Sequence, residues 1–116
     1  LLTIMVFYLK EGDTSPAIKF QLQDEDRNPV NIAGFEQLRF HMQKTDSVNP
    51  TVLADTSSGV SAVDADKGIV QYEWDEGDTD RAGEYEAEFQ VRFSGGDVET
   101  FPNRRDIKVE IEEQIE

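Results

Sequence analysis

The sequence predicts an all-β protein, an antiparallel β-sandwich, on three observations. First, Tyr85, Ala87, Phe89, Val91 and Phe93 alternate with Glu84, Glu86, Glu88, Gln90 and Arg92. Strict alternation over that length is the period of a half-buried strand and not of a helix. Second, short alternating runs recur at intervals of ~8–12 residues with turn residues between them, the pattern of a sandwich or barrel. Third, Asp80, Gly83 and Tyr85 stand in the order D-x-x-G-x-Y. That is the order of the tyrosine corner of immunoglobulin-like sandwiches, where a tyrosine near a strand start bonds backbone a few residues upstream. The expected class is therefore an immunoglobulin-like antiparallel β-sandwich. Ala87 occupies the place where antibody domains carry a cysteine, and the chain has no cysteine. An inter-sheet disulfide and a thiolate metal site are thereby excluded.

Taken in order, the chain opens on the apolar run LLTIMVFYL. It is far shorter than the ~20 residues of a transmembrane helix. It also lacks the basic n-region and small-residue cleavage site of a signal peptide. Two readings stand for it. It is a first strand or its lead-in, or residues 1–11 form a docking strand buried only against a neighbouring subunit. Val6, Phe7, Tyr8 and Leu9 are the candidate contacts, since exposing them together is costly. Residues 12–112 form the expected sandwich and residues 113–116 a polar tail that frays.

KEGDTSP is a turn, after which Ile18, Phe20 and Leu22 alternate with polar neighbours as a short strand. DEDRNP is a polar turn, and Val30 and Ile32 begin a return strand that Gly34 breaks. Leu38, Phe40 and Met42 face one way and Gln37, Arg39, His41 and Gln43 the other. A helix competes there, because Phe35, Leu38 and Met42 also fit a 3.6 period, but the alternation is longer. Residues 51–53 and 60–63 are short strands around ADTSSG, and DADKG is a tight turn. The stretch from Gly68 to Trp74 then places Val70, Tyr72 and Trp74 on one face. An acidic corner joins it, antiparallel, to the long alternating strand. SGGD is a hairpin signal. A last strand region starts at residues 98–101, is interrupted by Pro102 and Asn103, and resumes with Ile107, Val109 and Ile111.

One hundred and sixteen residues suit one domain able to fold without staples. Asp and Glu total 25 against 11 Lys and Arg, a formal charge of −14. Nucleic acid and anionic membranes are not expected partners, because phosphate neutralisation needs clustered Lys and Arg. Two readings of the charge compete. One is an ordinary acidic, soluble surface. The other is a protein from a high-salt cytoplasm, where a Debye length of about 3 Å at ~1 M salt makes self-repulsion tolerable.

Little in the sequence points to catalysis. The single histidine, His41, sits on the outward face of its strand, where a surface role is the simpler reading. Without cysteine and with one histidine, the usual nucleophile–base pairs are nearly unavailable, and G-x-S-x-G, H-E-x-x-H and phosphate loops are missing. Glu84, Glu86 and Glu88 line a solvent face and Asp75, Glu76, Asp78 and Asp80 crowd a turn, whereas a general acid needs burial in a cleft. DEGDTD and DADKG offer oxygen ligands for Ca²⁺ or Mg²⁺, but neither has the EF-hand spacing and turn chemistry explains both. No catalytic residue, metal or cofactor is expected. Trp74 and Tyr85 fall on inward phases and read as core, not as a sugar platform. Phe101, beside Pro102, is the aromatic expected at a rim, and joins Val6 to Leu9 as a candidate contact.

Three blocks together resemble a known family. They are GDTSPAIKFQLQDEDRNPVNIAG (residues 12–34), LRFHMQ (38–43) and DADKGIVQYEWDEGDTDRAGEYEAEFQVRFSGGDVETFPN (64–103). In this order and spacing they resemble the immunoglobulin-like N-terminal domain of the phage baseplate upper proteins, found in tailed viruses of bacteria and archaea. The chain departs from the pattern at Arg27, where a turn glycine is common, and longer members continue into further domains. The resemblance implies a structural virion module of the tail or baseplate that docks on other virion proteins, as a symmetric homo-oligomer or in a hetero-assembly. It brings no catalytic residues. Joined to the charge, it suggests a virus of a halophilic archaeon. Capsid or neck decoration is an alternative placement. Binding of a host-surface glycan is a further alternative, although loops 46–50, 54–59 and 94–97 contain no aromatic residue.

Overall fold

A computed structural model describes residues 6–104 and 106–115. Among them run nine strands: β1 Val6–Lys10, β2 Ile18–Gln21, β3 Gln37–Lys44, β4 Pro50–Asp55, β5 Val60–Asp64, β6 Ile69–Tyr72, β7 Gly83–Arg92, β8 Val98–Phe101 and β9 Ile107–Glu112. They form two sheets. One has the order β1-β9-β7-β3-β4, with β8 also on β7, and the other is β2-β6-β5. β7 is long enough to serve two partners along one side, β9 over Gly83 to Ala87 and β8 over Phe89 to Arg92. β3 lies along its other side from Gln37↔Arg92 to Lys44↔Tyr85. Every named pairing is antiparallel except β1–β9, which is parallel. Parallel strands need a long crossover, and here almost the whole domain supplies it.

The alternation sets the faces as expected. Leu38, Phe40 and Met42 of β3, Tyr85, Ala87, Phe89 and Val91 of β7, and Ile107, Val109 and Ile111 of β9 are buried, while their neighbours face outward. The second sheet returns Ile18, Val70, Tyr72 and Val60 from across the core. Phe40 is at the centre. Its ring stacks on Tyr72 at 4.6 Å, meets Trp74 edge-on at 5.9 Å and leans on Phe89 at 5.0 Å. Such offset and edge contacts each add about 0.5–1.5 kcal/mol to what burial alone contributes. Trp74 and Tyr85 are core residues, at 5% and 2% exposure.

Three expectations are corrected. β6 and β7 do not pair with each other: they belong to opposite sheets, and the acidic corner carries the chain across the sandwich. The return strand at Val30 and Ile32 is not a strand. Only a Gln23↔Pro29 bridge forms. Pro29 has no N–H to continue a ladder, and single bonds hold the segment instead, Val30 N–H to Leu22 C=O (2.9 Å) and Ile32 N–H to Ala65 C=O (2.9 Å). Ile32 is nevertheless fully buried, so its apolar character was a packing signal and not a pairing one. Phe101 is not at a rim: β8 sets it opposite Phe89 and buries it completely.

Candidate functional site

The acidic corner is held by its own side chains. The Tyr85 hydroxyl donates to the carbonyl of Arg81 at 2.8 Å, which is the tyrosine-corner bond. Asp78 Oδ2 accepts from the Tyr72 hydroxyl (2.5 Å) and from the Asp75 N–H (2.8 Å), and Asp75 Oδ1 accepts from the Glu76 N–H at 2.9 Å. Asp64 accepts from the Lys67 N–H and caps the 3-10 turn Ala65–Lys67. These carboxylates are engaged in turns and caps. Among the described residues no three His, Asp or Glu side chains converge to hold a metal ion.

Two residues the sequence did not single out tie the corner to the chain ends. Thr79, 1% exposed, donates through Oγ1 to the Asp13 carbonyl at 2.7 Å, and its own carbonyl accepts from the Gly12 N–H. Glu11 accepts from the N–H groups of Ala82 and Gln114. A threonine within an Asp-rich turn is the only local signal for the first. The second is a contact between positions far apart in the chain and leaves no local mark.

The outer face of the larger sheet carries paired charges. Glu86 meets Lys108 at 3.5 Å, Glu112 meets Lys10 at 3.7 Å, and His41 Nδ1 lies 3.9 Å from Glu88. Beside them is a hollow of about 300 Å³ whose lining includes His41, Pro50, Leu53, Glu86, Glu88 and Asp106. Burial lowers the His41 pKa, with Glu88 opposing and Arg39 assisting. Burial raises that of Asp106, helped by the charge of Glu86 and a hydrogen bond to it and opposed by Lys108. Among the described residues the lining has no hydroxyl or thiol nucleophile.

The residues expected to meet a neighbour separate into two groups. Leu9 is buried at 5% and Phe7 half-buried, its ring 6.4 Å from Trp74, so both pack inside their own chain. Val6 and Tyr8 point outward, at 42% and 59% exposure. Fully buried Phe101 is unavailable to a partner. The start of the apolar run, residues 1–5, lies outside the described residues. Val6–Lys10 follows the first-strand reading within its own sheet.

The family profile described as BppU N-terminal domain matches residues 4–115. Among solved structures the chain is similar to the N-terminal domain of phage TP901-1 ORF48. The two are 21% identical with a TM-score of 0.61, over 92% of this chain and 84% of that one. A structure of murine CRIg is also matched, at 14% identity and a TM-score of 0.37 over 96% and 92% of the two chains. No curated protein matches the chain. The first structural likeness supports the two-sheet fold, and the second is too slight to carry an argument.

Proposed function

We propose, from the premise that the chain belongs to the BppU N-terminal domain family of phage baseplate upper proteins, that it docks on neighbouring virion proteins and catalyses nothing. The family places it in the virion, in the tail or baseplate, with a structural role. The match over residues 4–115 is the observation that carries the docking reading. The geometry supports it. The interior is lined with apolar side chains, and the buried side-chain nitrogen and oxygen atoms among the described residues all have partners. Contact with other chains then falls to an outer face of solvated carboxylates and to exposed strand edges. Assembly in several symmetric copies is part of the same proposal.

The charge of −14 supports a finer proposal, that the particle works in concentrated salt, as a virus of a halophilic archaeon would. Strong single-sign charge is tolerable where the Debye length shrinks to about 3 Å. Locating the chain in a density map of the intact particle tests the docking role. Density at the tail or baseplate, in contact with other subunits, is the expected result. Copies found only on the capsid or neck overturn it.

A further inference from the structure

Among the described residues, β1 ends its sheet, bonded to β9 on one side and to no strand on the other. The Glu11 N–H donates to the Glu112 carbonyl at 2.8 Å, and this fixes the phase of the parallel ladder. Phe7, Leu9 and Glu11 direct their backbone groups to β9. Val6, Tyr8 and Lys10 direct theirs to the open side, since alternate residues face opposite neighbours. The Lys10 carbonyl is taken by the Asp13 N–H, which leaves the backbone groups of Val6 and Tyr8 facing outward.

Sheet edges are ordinarily blunted by proline, bulges or charge. Near the other edges stand Pro16 two residues before β2, Pro50 at the start of β4 and Pro102 just after β8, and the β5–β6 register shifts between Ala62 and Asp64. β1 has no proline and no shift, its one charge is Lys10 at the far end, and it exposes Val6 and Tyr8.

The surroundings say what would fit. Tyr8 lies level with Glu110, and Glu110 with Glu84, so one row across three strands reads Tyr8, Glu110, Glu84. Two like charges face each other there, which is unfavourable, whereas Glu112 and Glu86 in the flanking rows each meet a lysine. A lysine or arginine arriving beside Tyr8 would lie along its ring and reach toward Glu110, the nearer of the two carboxylates. On the inward side, an added strand would pass beside half-buried Phe7 and extend the core.

We infer that the edge of β1 accepts an extended segment of a neighbouring virion protein, with apolar residues on its inward positions and basic ones on its outward positions. The inference rests on the docking role proposed above and specifies its contact. It is strand addition, in which main-chain bonds supply affinity and alternate side chains supply choice. A second copy of this chain would bring the same apolar strand but a charge of −14 against −14, so self-pairing is the disfavoured occupant.

The test is hydrogen exchange on the full chain, read at the Val6 and Tyr8 amides. The probe is a synthetic peptide of alternating valine and lysine, and the control alternates valine and glutamate. The valine–lysine peptide should slow exchange at both amides about tenfold or more, and the control should not. Tyr8→Pro removes an edge N–H that β9 does not use. It should abolish the slowing at Val6 with little change in thermal midpoint. Tyr8→Lys, which keeps the amide and adds an edge charge, should weaken it if the proline variant does not fold. No slowing, equal slowing by both peptides, or peptide-free protection that grows with protein concentration overturns the inference. A Tyr8→Lys chain that enters virions as well as the original sinks the edge inference and leaves the docking role standing. An original chain found only on the capsid or neck sinks the docking role itself.

Discussion

Tyr85 fixes the corner through a single bond, so Tyr85→Phe isolates it. Losing the hydroxyl bond to the Arg81 carbonyl while keeping the ring should lower unfolding free energy by about 1 kcal/mol, measured by urea titration. Gly68 is a harsher case. Its φ is +67°, and a Cβ there would stand 2.4 Å from the Val30 carbonyl oxygen, which is held beside it by the Leu22–Val30 loop. Gly68→Ala combines a left-handed backbone with a backbone clash and should destabilise by about 2–4 kcal/mol in the same assay. The tyrosines also set a pH response. Tyr72 is raised well above its ordinary 10.0 by burial first and then by the hydrogen bond and charge of Asp78. Tyr85 is raised by burial, with Arg81 opposing. A raised folded pKa means the native state holds its proton where the unfolded chain releases it. Stability is therefore full below about pH 10 and falls as pH rises beyond it. Thermal midpoints across pH 9 to ~11.5 should show the drop, and Tyr72→Phe should flatten it. Of these residues, the sequence disclosed Tyr85 through its D-x-x-G-x-Y setting. It did not disclose Thr79 or the pairing of Tyr72 with Asp78, because each depends on a fold-back that no periodicity records.

At the scale of elements, strand existence was far more legible than strand partnership. β7 and β9 follow directly from alternation, and β3 won over a helix because its neighbours could bury only one flat face. The segment at Val30 looked like a strand because buried apolar positions alternate there too, yet Pro29 and a short loop left it single bonds in place of a ladder. β1 is the informative case. Its sequence alone allowed a strand or a docking arm, and it now sits in its own sheet with Leu9 in the core and Phe7 against Trp74. Deleting residues 1–10 should therefore destabilise the domain by about 3–5 kcal/mol, the scale of losing a buried leucine plus part of a phenylalanine. A urea midpoint indistinguishable from that of the full chain would show that β1 contributes no stability to its own sandwich.

For the molecule as a whole, composition governs behaviour in solution while the core governs shape. With −14 spread over 116 residues, compaction works against self-repulsion, and salt should relieve it. The thermal midpoint should rise by about 5 °C or more between ~0.1 and ~2 M KCl. No rise would count against a high-salt setting and leave the virion role untouched. The sequence by itself determined the all-β class, the inward phases of Trp74, Tyr85 and Phe89, the tyrosine corner and the family resemblance. All four are written in short-range order, through alternation, turn residues and motif spacing. Tertiary structure alone decided that β1 runs parallel to β9, that β6 and β7 part to opposite sheets, that Phe101 is interior, and that β1 ends its sheet among the described residues. Those outcomes depend on which distant segments meet, and a residue's neighbours along the chain carry no record of its neighbours across the sheet.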